Sequence, residues 1–196
     1  MLLKSFFLHR PLQYRGGFSI IFRMELRIML EKGFGIAKVE VNAGTGVHDH
    51  AKWKPKWKIE KYNSKGELYA VEEFDGNLLL FDGISEFMKA ACGVGGTAFS
   101  GANARIGVGD GTTAAAANQK GLQGTNKAYA TMDAGYPKVQ GNTMTFRATF
   151  GSGKAAFAWQ EFVIDNGTIA LNRKVEYHGV KVSQDTWAIS CSITIS

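Results

Sequence analysis

Proline is scarce in this chain, with 3 in 196 residues, and cysteine is scarcer, with 2. So little proline argues against a rigid linker or a Pro-rich disordered tail. Two cysteines, Cys92 and Cys191, make no disulfide framework. Cys92 falls at the end of an expected helix and Cys191 within an expected strand. Both read as buried free thiols in a chain made in a reducing compartment. Long apolar runs are also missing, since none approaches the roughly 18–20 residues that a membrane helix needs. The opening stretch Met1–Leu8 is apolar but short, is broken by Lys4 and runs into His9-Arg10. No small-residue cleavage site follows, so it does not read as a secretory signal.

What is present points to a folded body. Hydrophobic residues make up 45% of the chain, enough for a sizeable core, and 24 glycines imply many turns. One compact domain plus an extension fits this length. The formal net charge is +6. Its basic residues crowd the first third, at Lys4, Arg10, Arg15, Arg23, Arg27 and Lys32, then at Lys52, Lys54, Lys56, Lys58 and Lys61. That balance suits nucleic acid, an anionic membrane surface or an acidic protein partner, and it also serves plain solubility.

Residues 1–46 differ in composition from the rest. Apolar positions 18, 21, 22, 26, 29 and 30 fit helical spacing, and Gly33-Phe34-Gly35 would end such a helix. This segment reads as an arm that docks on a neighbouring subunit, as an upstream extension with internal starts at Met24 or Met29, or as an interfacial membrane helix. Residues 47–196 form the expected domain.

Within that domain the dominant signal has period two. Met144–Phe150, Ala156–Asp165 and Thr186–Ile195 alternate apolar residues with β-branched and aromatic neighbours, and Asn166-Gly167 makes a turn. Residues 51–74 read as a hairpin around Asn63-Ser64-Lys65-Gly66. Trp53, Trp57, Ile59 and the other odd positions share one face and the lysines share the other. Pro55 removes a backbone donor, which predicts an edge strand or a strand starting after it. A helix is expected over 77–92, with Asn77 as N-cap, an apolar stripe of Leu80, Ile84, Phe87, Met88 and Ala91, and Gly93 as its stop. Gly83 inside it should cost about 1 kcal/mol relative to alanine. Ala104–Gly111 reads as a short strand entering a turn. Residues 112–142 show little periodicity, with Leu122, Tyr129, Met132 and Tyr136 as candidate anchors to the core.

The clusters that invite chemistry are incomplete. His48-Asp49-His50 could aim two imidazoles at one ion, but no further ligands lie nearby. Gly107-Val108-Gly109-Asp110-Gly111-Thr112-Thr113 lacks the lysine of a phosphate-binding loop and the helix of a dinucleotide fingerprint, so a tight turn with positive-φ glycines is expected. The Lys/Trp alternation over 52–58 combines phosphate neutralisation with stacking, yet pleating puts the two residue types on opposite faces. Its lysines would otherwise guard a sheet edge. No G-x-S-x-G surrounds any serine. Glu72-Glu73 and Glu161 are the carboxylates of interest. Glu161 stands two residues from Trp159 on the same expected strand face, with Arg147 or Arg173 as its partner. The residues imply no catalytic, cofactor-binding or metal site, and an enzyme is not the expected class.

The order of segments IGVGDGTT (106–113), GLQGTNKAY (121–129), TFRATFG (145–151), FAWQEF (157–162), LNRK (171–174) and a final TW–ITIS strand (186–196) resembles structural proteins of tailed bacteriophages. More distantly, a helix followed by an I-x-V-G-D-G turn and late paired strands is similar to the N-terminal domain of phage tail-collar fibre proteins. The resemblance covers roughly residues 51–196. It implies a virion structural protein of the tail, fibre attachment or capsid surface, made in the host cytoplasm.

The expectation is therefore a mainly β protein: an antiparallel β-sandwich with one packed amphipathic helix and an extended N-terminal arm. Trp159, Phe157, Phe146 and Trp187 are its expected core. Its expected partners are further copies of itself, as a homo-oligomer, and other virion proteins, with residues 1–46 making inter-subunit contact. Two other classes remain open: a carbohydrate- or receptor-binding sandwich using exposed aromatics, and a basic nucleic-acid-binding accessory protein.

Overall fold

A computed structural model describes residues 52–196. The expected arm over 1–46 and the His48-Asp49-His50 group lie outside the described residues. Strands β1 (Trp53–Tyr62) and β2 (Leu68–Asp75) form the expected hairpin, and Asn63 Oδ1 accepts the Lys65 and Glu67 amides across its turn. β3 (Leu78–Leu79) leads into α1 (Phe81–Cys92). Then come β4 (Arg105–Gly109), β5 (Lys127–Thr131), β6 (Lys138–Gln140), β7 (Thr143–Phe150), β8 (Glu161–Asp165), β9 (Asn172–Val175) and β10 (Thr186–Ile195).

These strands form two antiparallel sheets, ordered β2-β1-β10-β7-β6 and β3-β9-β8-β4-β5. The alternation read from the sequence decides which side chains meet between them. Trp57, Ile59, Phe74, Phe146, Phe150, Trp187, Ile189 and Ile193 of the first sheet pack against Ile106, Val108, Phe162 and Ile164 of the second. The described residues thus form an antiparallel sandwich with an aromatic-rich core. Trp159, Phe146 and Trp187 lie in that core as expected, while Phe157 packs partly buried at its margin.

Several expectations are corrected. β1 is neither an edge strand nor delayed past Pro55; it begins at Trp53 and lies between β2 and β10. Proline is tolerated because β2 pairing starts only at Lys56↔Asp75, and the Pro55 carbonyl accepts the Gly76 amide just beyond the end of β2. Lys54, Lys56 and Lys58 therefore line the outer face of an interior strand. Lys56 meets Glu73 at 2.7 Å and Lys58 meets Glu60 at 2.8 Å. Lys58 and Arg147 together hold the Glu60 carboxyl below its usual pKa.

The helix starts four residues later than expected, at Phe81. Leu78 and Leu79 pair with Arg173 and Asn172 instead, so Leu80 rather than Asn77 is the N-cap, and its apolar side chain makes no cap bond. Of the expected stripe, Leu80 is buried and Phe87 packs edge-on against Trp53, with ring centroids 6.1 Å apart. Met88 is 62% exposed. Gly93 ends the helix in the left-handed region, and the Val94 amide reaches back to the Lys89 carbonyl.

Gly83 is the helix's one buried residue, and a Cβ there would stand 2.5 Å from the Ala170 carbonyl oxygen and from Leu171 Cα. Helix propensity alone predicts that Gly83→Ala stabilises by about 1 kcal/mol. Close backbone contact predicts the opposite sign, a loss of about 1–3 kcal/mol from overpacking. Urea unfolding of this variant decides between the two; a raised midpoint would show that the helix can shift away from Ala170 and Leu171.

Candidate functional site

The second sheet has an outer face, and that face is also covered. Val163 joins Leu80, Leu122 and Ala170 in a small second apolar cluster on it. The cover is the aperiodic segment that follows β4. Its ends are tied together: the Asp110 amide donates to the Asn126 carbonyl at 3.2 Å, and Asp110 Oδ1 accepts the Asn126 amide at 3.0 Å. The Asn126 side chain and neighbouring amides hold the Asp110 carboxyl below its usual pKa. Leu122 is buried as an anchor and Met132 packs on the main core, while Tyr129 lies over Gly107 and remains 41% exposed.

Beneath this cover Glu161 and Arg173 form a salt bridge with both side chains fully buried. Arg173 Nε and Nη2 donate to Glu161 Oε2 at 2.8 and 2.7 Å. Glu161 Oε1 accepts the amides of Gly111, Gln123 and Gly124 at 3.2, 2.9 and 2.7 Å. Arg173 Nη1 donates to Gln119 Oε1 at 2.8 Å, and the Gln119 amide in turn donates to the Ala114 carbonyl. A charge taken from water is tolerated only when paired and fully hydrogen-bonded, as both are here.

Of the two arginines expected to partner Glu161, Arg173 does so. Arg147 instead meets Glu60 and Asp133 on the outer face of the first sheet. The face assignment of Glu161 is corrected. Trp159 precedes β8 and turns into the core, whereas Glu161, Val163 and Asp165 point to the sheet's other side. The glycine reading is corrected too. Gly107 and Gly109 sit in β4 without positive φ, and they are glycines because of what lies over them. A Cβ at Gly107 would meet the Tyr129 ring at 2.5 Å, and one at Gly109 would meet Glu161 Oε1 at 2.5 Å.

A second polar cluster closes one end of the core. Lys61 breaks the expected separation of lysines from the apolar face: it follows Trp57 and Ile59 on the inward side of β1. Its ammonium donates to Glu72 and to the His178 carbonyl at 2.6 Å, and lies 4.3 Å from the Trp187 ring centroid. His178 stacks on Phe74 at 3.9 Å, with Nδ1 2.7 Å from Glu72 Oε2 and Nε2 3.4 Å from Glu176 Oε1. Burial raises the Glu72 pKa, and hydrogen bonds from Lys61 and His178 outweigh it, leaving the carboxyl below its ordinary range. Nearby, buried Lys181 donates to the carbonyls of Gly151 and Asp185. The odd-position parity of Lys61 was the available signal for this cluster; His178 carried none.

The hydrogen bonds that both clusters make go to the protein itself, and His178 Nε2 is buried without a hydrogen-bond partner. The Glu161–Arg173 pair is sealed from solvent, so its chemistry is that of a latch holding the 111–126 cover to the sheet. Glu73 is half-exposed and bound to Lys56. Cys191 is buried, and burial pushes its thiol pKa well up; Cys92, expected to be buried, is exposed at the helix end. Among the described residues no helix is long and apolar enough to cross a membrane, and no group of three or more His, Cys, Asp or Glu side chains is placed to hold a metal ion. Comparison with family models, curated proteins and solved structures finds no match to this chain.

Proposed function

We propose that this protein is a bacteriophage virion structural protein, of the tail, fibre attachment or capsid surface, that works through contacts between subunits. The observation that carries this reading is where large apolar side chains reach solvent. Phe81 and Met88 are 64% and 62% exposed along the outer side of α1, with Val94 at 74% just beyond it. A second set, Leu68, Tyr69 and Val71, lines β2, an edge strand among the described residues. Apolar side chains grouped on one element mark association surfaces more often than scattered ones do. An unpaired strand edge is likewise a template for another chain. The segments that carry the phage resemblance add support: 106–111, 121–129, 157–162 and 171–174 meet physically around the Glu161–Arg173 latch, so they resemble a structural unit and not only a string of motifs.

The test is mass spectrometry of purified particles combined with analytical ultracentrifugation of the full chain. Particle-borne peptides and a concentration-dependent oligomer are expected. A strictly monomeric chain with no affinity for particles would overturn the reading.

A glycan-binding module is favoured by one observation, the exposure of Tyr69 and Tyr177 at 52% and 61%. It draws no support from the tryptophans, three of which lie within the core. Binding on a glycan array would raise it above the virion role.

A further inference from the structure

The bend after β8 carries the chain's one Asn-Gly pair, Asn166-Gly167. Glycine leaves its amide nitrogen unshielded by a side chain, so in an open chain that nitrogen readily attacks the asparagine before it. Here both partners are held. Asn166 is only 3% exposed. Its Oδ1 accepts the Thr168 amide, the Thr168 hydroxyl and the Ile169 amide at 3.2, 3.1 and 2.8 Å. Its Nδ2 donates to Glu86 Oε1 and to the Thr97 carbonyl at 3.2 and 2.7 Å. The Gly167 amide donates to Asp165 Oδ1 at 3.0 Å. Arg105, forked onto Asp165 at 2.9 and 2.8 Å, also donates to the Gly167 carbonyl at 3.2 Å.

The same contacts fix what a change at this position would do. Asn166 joins the end of β8 to α1 through Glu86 and to the segment after α1 through Thr97. Glu86 Oε1 also accepts the Thr97 amide at 2.6 Å. Both groups that face Asn166 Nδ2 are acceptors, so only a donor fits between them. A carboxylate at 166 would set oxygen against oxygen out of water, beside the Glu86 carboxylate and next in sequence to Asp165.

We infer that Asn166 is a modification site that converts when this bend opens, and that conversion keeps the bend from re-forming. In the opened chain the Gly167 nitrogen bonds to Asn166 Cγ. The side-chain nitrogen leaves as ammonia, taking the glycine's proton, and a cyclic imide remains. Water then cleaves one of the two imide C–N bonds and leaves aspartate or isoaspartate at 166. Isoaspartate adds a methylene to the backbone inside the bend, where Asp165 must bridge to Ala170. The closed bend blocks the first step, because attack needs the Asn166 amide to leave five hydrogen bonds and the Gly167 amide to leave Asp165. Unfolding thereby becomes irreversible by chemistry at one residue. This assignment goes beyond the virion role and does not require it.

The experiment ages the full chain at mildly alkaline pH, folded or in urea, and maps its peptides by mass spectrometry. The peptide holding Asn166 should convert at least about tenfold faster in urea, because the reaction follows the opened population. On dilution from urea, molecules that kept Asn166 should regain the fold, and converted molecules should stay unfolded or unfold at lower urea. Asn166→Asp should lower the urea midpoint without ageing. A second variant leaves Asn166 and Gly167 in place: Arg105→Lys loses the fork on Asp165. It should speed conversion in the folded chain beyond what its own loss of stability populates of the unfolded one. Equal conversion rates in the folded and unfolded wild-type chain would overturn the assignment. So would converted molecules that refold with an unchanged midpoint, or an Arg105→Lys chain that converts no faster than its stability accounts for.

Discussion

Arg173→Met is expected to destabilise the protein by about 3–5 kcal/mol, the range for stripping one partner from a buried ion pair. Glu161 would be left fully buried, with only backbone amides to answer it. A domain of this size holds about 5–15 kcal/mol in total, so the midpoint of chemical unfolding should fall steeply. The double variant Glu161→Leu with Arg173→Met gives the sharper test. Replacing both members of a buried pair by apolar groups is often neutral or stabilising. It should not be so here, because Glu161 also accepts the Gly111, Gln123 and Gly124 amides, and each would lose its acceptor under the cover. Hydrogen exchange should show those amides opening in both variants. If the double variant instead regained wild-type stability, the latch account would be wrong.

Trp159→Ala should cost about 3–5 kcal/mol, the usual loss for truncating a buried tryptophan. Trp159 is fully buried and lies edge-on to Phe150 and Trp187, with centroids 5.1 and 4.9 Å away. Those rings come from β7 and β10, so its removal opens a cavity on the first sheet's side of the core. The loss is compounded locally. The indole donates to the Ala155 carbonyl at 3.0 Å, and the Trp159 backbone pairs with His178 and Gly179. Trp159→Phe keeps most of the volume and should lose less, though it leaves that carbonyl without its donor. Equilibrium unfolding followed by near-ultraviolet circular dichroism would rank the pair. Equal losses for the two variants would mean that the hydrogen bond, not the cavity, sets the cost.

These two residues were not equally legible. Trp159 was expected in the core because large aromatics rarely find another place, and that expectation needs no knowledge of neighbours. Glu161 was singled out as a carboxylate of interest with Arg173 as one of two partners, but for a faulty reason. Its face was inferred from Trp159, as though one strand ran through both, whereas β8 begins at Glu161. The glycines of β4 misled in a related way. Turn-forming glycine and close-approach glycine look the same in a sequence, and only the Tyr129 ring and the Glu161 carboxylate above them separate the two. Residues 112–142 gave no periodicity because much of their order comes from distant partners. The cover is fixed by Glu161, which lies 37 to 50 residues away from the amides it accepts.

The sequence by itself determined the class of the fold, the β1–β2 hairpin, the long strands over 144–150 and 186–195, the helix before Gly93 and most of the core. All of these follow from local rules: a side chain's face alternates every residue in a strand, turns need particular residues, and large apolar groups leave water. Tertiary structure alone decided that Pro55 sits in an interior strand, that Lys61 and His178 cap the core, and that Arg173 rather than Arg147 answers Glu161. Period-two patterning says which way a side chain points; which group waits there is decided by strand order and register, and those depend on the whole chain packing at once.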